Sequence, residues 1–196
     1  MKRKANLTRK TKETDISLSL NIDGKGKAGI AAPINFFNHM LEIFAKNAQV
    51  DLNIKASGDI AVDQHHIIED IGIVLGQALK QALGDKKGIN RAGFFAYPMD
   101  ESLSVVAIDI ASRPNLVYKA AFTRRFIGDF DADLLEDFFK AFVDNAGITL
   151  HVVMEYGRND HHKIESIFKA FGKAMKMAVA KDKRMLKDIP STKGVL

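Results

Sequence analysis

Two five-residue stretches carry the same chemistry at the same spacing: His65-His66-Ile67-Ile68-Glu69 and His161-His162-Lys163-Ile164-Glu165. Imidazole and carboxylate are both metal ligands, and positions i and i+4 share one face of a helix. His65 with Glu69, and His161 with Glu165, can therefore each grip one ion. The second histidine of each doublet is rotated by about 100° and must face another ion or another wall of the site. Two copies predict two metal ions, each with ligands from both halves of the chain or from neighbouring subunits. A single copy would read equally well as a surface ion pair; the recurrence argues against that. Nitrogen and oxygen donors without thiolate suit manganese, iron, zinc or nickel, and octahedral geometry favours manganese or iron(II). The chain has no cysteine. That excludes disulfides, thiolate metal sites and cysteine nucleophiles, and makes a reducing cytoplasm the expected compartment.

The elements that must hold these motifs repeat as well. A strand is predicted at Asp15–Ile22, with Ile16, Leu18, Leu20 and Ile22 on one face. A glycine-rich turn at Asp23-Gly24-Lys25-Gly26 and a short strand near Gly29–Ala32 follow. Phe36–Lys46 is expected to be helical, Val50–Ala56 a strand, and His66–Leu83 a long helix ended by Gly84-Asp85. In the second half, strands are expected at Ser102–Ile110, Leu116–Phe122 and Ile148–Glu155, and helices at Leu134–Asn145 and His162–Ala180. Phe44, Asn47, Ala48 and Leu52 match Phe142, Asn145, Ala146 and Leu150 at an offset of 98. The matches of His65, His66, Ile68, Glu69, Ile71, Gly76, Ala78 and Lys80 run at an offset of 96. Two copies are too few for a solenoid. The expectation is one α+β domain of two similar halves, roughly 1–92 and 93–187, each a β-β-α-β-α unit, with 188–196 as a tail.

The repeat extends the list of candidate ligands. His39, near the start of the helix before the first metal helix, has Asp137 as its equivalent, and both residue types ligate metals. His151 aligns with Asn53 within a strand and reads as a core residue, or at most one that orients a ligand. Arg91, Arg113, Ser191 and Lys193 are the candidates for a phosphate site, because arginine forks match phosphate oxygens in geometry and charge. Pro190-Ser191-Thr192-Lys193-Gly194 is polar enough to close over an anion. Glu13 is the leading spare carboxylate near the N-terminus.

The net charge of +5 sits partly in Lys2-Arg3-Lys4 and Lys181-Asp182-Lys183-Arg184. Such runs read as solvated surface rather than as a nucleic-acid footprint. No apolar run reaches the roughly 20 residues that span a bilayer, and no signal-peptide pattern opens the chain. No membrane or nucleic-acid partner is expected.

Over essentially its whole length the sequence resembles the imidazoleglycerol-phosphate dehydratases of histidine biosynthesis. The resemblance runs from Arg9-Lys10-Thr11-Lys12-Glu13-Thr14 through Phe37-Asn38-His39-Met40-Leu41 and the first histidine motif with Asp70. It continues through Pro98-Met99-Asp100-Glu101, Ser112-Arg113-Pro114, Asp160 with the second motif and Ser166, and Ser191-Thr192-Lys193-Gly194-Val195-Leu196. It implies duplicated split β-α-β halves, with two four-stranded-type sheets and helices packed on them. It implies two manganese ions per active site, other divalent metals being possible. It also implies trimers assembling into a homo-oligomer of roughly 24 subunits with sites between subunits, and no fused phosphatase domain. By position, the family's metal ligands fall on His39, His65, His66, Glu69, Asp137, His161, His162 and Glu165. Its substrate contacts fall on Glu13, Arg91, Arg113, Ser191 and Lys193; Glu13 is the candidate catalytic base. Two departures stand out: the family usually has histidine at Asp137 and often aspartate at Asn38.

The implied reaction is dehydration of D-erythro-imidazole glycerol phosphate to imidazole acetol phosphate. Metal coordination would favour the substrate imidazolate, which expels the neighbouring hydroxyl; Glu13 then takes the next carbon's proton, and the enol becomes the ketone. A dinuclear phosphoester hydrolase and a non-catalytic metal-linked assembly are the rival readings of the same residues.

Overall fold

Ten strands occur among the described residues, and alternating burial, the mark of a strand with one face on a core, is clearest in the longer of them. The structure, a computed structural model, describes residues 3–196, so Lys2 of the basic opening run lies outside the described residues. The first half contains β1 (Lys4–Lys10), β2 (Thr14–Asn21), β3 (Ala28–Ala31), α1 (Asn35–Ala48), β4 (Asp51–Gly58) and α2 (His65–Leu83). The second contains β5 (Ala92–Met99), β6 (Ser102–Asp109), β7 (Asn115–Lys119), β8 (Phe126–Ile127), β9 (Phe130–Asp131), α3 (Leu134–Ala146), β10 (Thr149–Tyr156) and α4 (Asp160–Val179). Two four-stranded sheets result, ordered β1-β2-β4-β3 and β5-β6-β10-β7. In each, two antiparallel pairings are followed by one parallel pairing. The fold is α+β with the duplicated sheets expected.

The expected β-β-α-β-α unit lacks one strand: each half is β-β-β-α-β-α. The strands missed from the sequence, β1 and β5, are both sheet edges. β1 is rich in basic residues and β5 contains Gly93 and Pro98. Both compositions lower strand propensity, yet an edge tolerates them because one side of the ladder stays unpaired. The short β8–β9 hairpin was missed as well. It fills an insertion: Leu20 and Ile108, paired to Leu52 and Leu150, are 88 residues apart, whereas Leu52 and Leu150 are 98 apart. Ten extra residues thus separate β7 from α3, and the hairpin lies among them.

The helices bury apolar residues at helical spacing, as in Ile67, Ile68, Ile71, Val74, Leu75, Ala78 and Leu79 of α2. They also pair across the halves. Gly72 lies against Phe138 and Ala141 of α3, and Gly76 against Phe142, Asn145 and Ala146; Gly172 of α4 lies against Phe44, Asn47 and Ala48 of α1. Residue numbers rise together along both contacts, the second running from Phe36 against His161 to Phe44 against Phe171, so α2 runs parallel to α3 and α1 parallel to α4. Within each half the strand between the helices reverses the chain, so α1 and α2 are also parallel, as are α3 and α4. All four helices therefore start at one end of the molecule. Stacked and edge-on phenylalanines fill the space between them, among them Phe37, Phe138, Phe139, Phe168 and Phe171.

A methyl group on Gly76 would stand 2.5 Å from the Phe142 carbonyl oxygen and 2.9 Å from the Ala146 nitrogen, both backbone atoms. Gly76→Ala is expected to lower stability by about 1–3 kcal/mol, read as a drop in the urea midpoint. An unchanged midpoint would mean that α2 and α3 do not touch there.

Candidate active site

Three capping arrangements set the helix starts that carry the histidines. Asp63 Oδ1 accepts the His65 N–H at 2.9 Å, and Asn159 Oδ1 accepts the His161 N–H at 3.0 Å. These two caps are themselves 96 residues apart, so the repeat includes them. α1 is capped from the other half: Asp129, in the β8–β9 turn, accepts from the Asn35 and Phe36 amides at 2.7 and 2.9 Å. Gln64 binds the same hairpin, donating to the Asp129 carbonyl at 2.6 Å and accepting from the Asp131 amide at 3.2 Å. Asp160, fully buried at the start of α4, accepts from the Thr123 amide and hydroxyl and the Arg124 amide. It also pairs with Lys163 at 2.9 Å. Burial alone would raise the Asp160 carboxyl, but the Thr123 hydroxyl, Lys163 and the two amides outweigh it and hold the group at about 2.

The i,i+4 pairs stand as helix geometry requires. His65 Nε2 is 3.7 Å from Glu69 Oε2, and His161 Nε2 is 3.2 Å from Glu165 Oε2. Two donors each about 2.1 Å from one ion are separated by about 3 Å, so both pairs fit a shared divalent cation. Asp137 is brought to the first pair, its Oδ2 3.4 Å from His65 Nδ1. That is the ring nitrogen away from Glu69. Asp137 therefore partners the far side of the His65 ring in this arrangement. His39 is half-exposed, with Glu42 at 4.0 Å as its ion-pair partner. Phe36, one turn before it, packs edge-on against His161 with centroids 5.1 Å apart.

The doublets diverge as expected, their rings crossing at 78° and 86°. His66 Nδ1 meets Asp59 Oδ1 at 3.1 Å, and His162 Nδ1 meets Glu101 Oε2 at 2.8 Å. An ionised carboxylate only accepts, so each Nδ1 carries a proton, and in the neutral ring each Nε2 keeps its lone pair for a ligand's role. Glu101 is saturated: its Oε1 also accepts the Asn159 and Arg158 amides at 2.8 and 3.2 Å. The His162 bond first, then the Asn159 amide, holds it at about 2. Asp100, Glu101 and His162 offer ligand atoms within 4.8 Å of one another. With Glu101 committed to protein donors, the group acts mainly to fix the His162 ring. Glu13 has the equivalent place in the first half, since Thr14 opens β2 as Ser102 opens β6. The Glu13 side chain accepts no hydrogen bond among the described residues. Its charge raises the His66 ring pKa, behind the larger effect of the Asp59 bond.

Arg91, Arg113, Ser191 and Lys193 line one cleft of about 290 Å³, with Ala111, Thr192, Val195 and Leu196. Thus four residues from three separate stretches of sequence do converge. Arg91 forms a two-point ion pair with Asp109 at 2.6 and 3.0 Å. His151, by contrast, is exposed on the outer face of β10; strand alternation turns it away from the core, correcting the expectation of a buried or orienting residue.

A model of the family described as imidazoleglycerol-phosphate dehydratase matches residues 32–175. The chain belongs to the imidazoleglycerol-phosphate dehydratase family. It is 53% identical to the family's protein from Nitrosomonas eutropha over 194 residues, covering 99% of this chain and 100% of that one. It is 54% identical to that from Bacillus licheniformis over 194 residues, with 99% and 100% covered. The crystal structure of the dehydratase from Staphylococcus aureus superposes with a TM-score of 0.83 at 39% identity, covering 91% of this chain and 99% of that one. That from Pyrococcus furiosus, in complex with (S)-C348, gives 0.82 at 34% identity over 97% and 100%.

Residues that sequence reasoning gave no role are mostly the carboxylates around the dehydratase motifs: Asp59, Asp63, Asp109, Asp129 and Asp160. The cap at Asp63 was findable, since Asp63 and Asn159 lie at the offset of the histidines. Asp129 was not, because its contacts cross from one half to the other. The Asp160 carboxyl is depressed in the fold. Its contribution to stability is therefore complete above its ordinary value near 4 and lost as pH falls towards about 2. Asp160→Asn is expected to cost about 3–5 kcal/mol at neutral pH by stranding Lys163, and to flatten the loss of stability below pH 4 in acid titrations of the unfolding midpoint.

Proposed function

We propose that this chain is a hydro-lyase converting D-erythro-imidazole glycerol phosphate to imidazole acetol phosphate and water in histidine biosynthesis, through the imidazolate form of the substrate ring. The observation that carries the reading is the pairing of two features in one chain. The duplicated His-His-x-x-Glu motifs open parallel helices at one end, and four anion-binding side chains share one cleft at the other. The enzyme names of relatives more than half identical over nearly the whole chain support the same reaction.

The donor set fits a divalent metal: imidazole and carboxylate together, no thiolate, and pairs at the spacing of one coordination shell. His65, His66, Glu69, His161, His162 and Glu165 would hold two ions, manganese in this reading, with His39 and Asp137 as further ligands. Bound there, they would supply Lewis acidity that favours loss of the ring proton. Asp59 and Glu101 hold the His66 and His162 rings by Nδ1, which turns each Nε2 away from the orienting carboxylate. Glu13, unencumbered beside His66, takes the carbon-bound proton, while Arg91, Arg113, Ser191 and Lys193 hold the phosphate.

One chain separates these parts. His162 starts α4, whereas Arg91 bonds to the Ala178 carbonyl near its end, about 24 Å away at 1.5 Å per residue. A three-carbon phosphate ester bearing one imidazole ring is far too short to bridge that distance. The reading therefore includes a homo-oligomer in which the cleft of one copy meets the histidine cluster of another. An apolar outer sheet face bearing Phe94, Leu103, Val105, Ala107 and Val153 supports burial against other copies, Phe94 being 66% exposed in the single chain. The compartment in this reading is the cytoplasm, which suits a chain without cysteine.

Purified protein given manganese and imidazole glycerol phosphate is expected to form the ketone, and chelation to abolish it. Release of inorganic phosphate instead would support a hydrolase, and bound metal without turnover a structural assembly. Glu13→Gln is expected to lower kcat by about 10²–10⁴-fold; near-normal turnover would remove Glu13 as the base. Co-expressed Glu165→Gln and Arg113→Ala chains, each inactive alone, are expected to recover part of the activity. No recovery would place the whole site within one chain.

A further inference from the structure

Asp109 closes β6 beside the anion cleft, and the reaction as described gives it no task. Its carboxylate occupies the Nε–Nη2 edge of Arg91 at 2.6 and 3.0 Å and stands 3.9 Å from Nη2 of Arg113. A guanidinium has five N–H groups. Three of those on Arg91 are engaged, two by Asp109 and one by the Pro190 carbonyl at 3.0 Å. One N–H remains on each terminal nitrogen of a side chain that lines the cleft. The backbone around the two arginines is forced to serve this arrangement. Arg91 (φ +71°) and Ser112 (φ +53°), next to Arg113, both occupy the left-handed region, which disfavours any residue with a side chain. Arg91 is locked there by its N–H on the Ala178 carbonyl and its own carbonyl on the Ile110 N–H. Ser112 is braced by the buried Lys86 ammonium, which donates to its hydroxyl. Such conformations persist where the surroundings overdetermine them, and they concentrate at binding sites.

We propose that Asp109 is a positioning residue of the anion cleft: it fixes Arg91 and Arg113 about one carboxylate and, through Arg91, seats segment 190–193, so that the remaining N–H groups meet a phosphate together. The proposal rests on the cleft being the phosphate site. It also has a sign that simple electrostatics does not share. A carboxylate this close repels a phosphate, so charge alone predicts tighter phosphate binding when Asp109 is neutralised. Positioning predicts the opposite, because an asparagine presents an NH2 group where the Arg91 fork needs an oxygen, and the fork is released.

Inorganic phosphate titrated calorimetrically into the full chain separates the two. Asp109→Asn is expected to bind phosphate about tenfold more weakly. The KM for imidazole glycerol phosphate should rise by a similar factor, with kcat changed less and manganese uptake unaltered. Unchanged or tighter phosphate binding overturns the proposal. Arg91→Lys keeps the charge but not the fork; it is expected to weaken phosphate binding alike, and adding Asp109→Asn to it should then change little. Fully independent losses would overturn the link through Arg91. Should Asp109→Asn fail to fold, Asp109→Glu provides the same reading, since it keeps the charge and displaces it; phosphate binding equal to that of the unmodified chain would overturn the proposal. Absence of phosphate binding by the unmodified chain is a different failure, that of the cleft's assignment.

Discussion

Gly76 leaves no room for a side chain against the Phe142 carbonyl, and Gly172 leaves none against Asn47 and the Phe44 carbonyl. These two close approaches, equivalent under the repeat, hold the helices of opposite halves side by side and in parallel. The rest of the molecule depends on that choice. Had the helices paired antiparallel, the two histidine motifs would stand at opposite ends. Paired as they are, His65 meets Asp137 of the other half and His161 meets Phe36. A duplication becomes a single functional end only because its two copies point the same way.

Parallel packing has an electrostatic consequence. Each helix start carries roughly half a positive charge, and four of them converge where metal ions are proposed to bind. A cation is disfavoured there unless anions accompany it. That accounts for the density of carboxylates at this end: Glu69, Glu165 and Asp137 beside the histidines, and Asp63, Asp129 and Asp160 on the helix starts themselves. The opposite end has the complementary problem. Helix C-termini are negative, and the anion cleft proposed near them would need cations to spare, which Arg91, Arg113 and Lys193 provide, with Lys86 behind them. The polarity of the bundle thus favours binding oppositely charged groups at its two ends. Under the proposed function a small zwitterionic substrate would need both ends, which separate copies of the chain could supply.

How far this was legible in the sequence follows from where the information lay. The histidine motifs, their helices and the repeat are local patterns at fixed spacing, and His39 with Asp137 followed from the repeat's other offset, of 98. The interior strands β2, β4, β6 and β10 alternate clearly because one face of each is buried. The edges β1 and β5 do not announce themselves, since their strand character comes from a neighbour's hydrogen bonds rather than from their own composition. Asp129 capping α1 and Asp109 bracing Arg91 are contacts across 94 and 18 residues of sequence. Short polar residues at such separations look like surface until the fold brings their partners to them. The anion cleft lay between: its members were named from their types, but nothing along the chain placed Ser191 beside Arg91.

Glu13 and Glu101 show what the duplication made possible. They stand at the same point of the same hairpin in the two halves, each beside the second histidine of a doublet. Glu101 is fully engaged, by His162 and by the amides of Arg158 and Asn159, which leave it a fixed acceptor with no capacity to take a proton. In the first half the histidine is satisfied instead by Asp59, which relieves Glu13 of that duty. A carboxylate that does proton chemistry must be free to change its bonding partner during the reaction, and one that orients a ligand must not. A single copy of the hairpin could not meet both requirements with one glutamate. Two copies can, once a neighbouring aspartate takes over the orienting bond in one of them, and that substitution of partners is the structural ground for proposing Glu13, rather than Glu101, as the base.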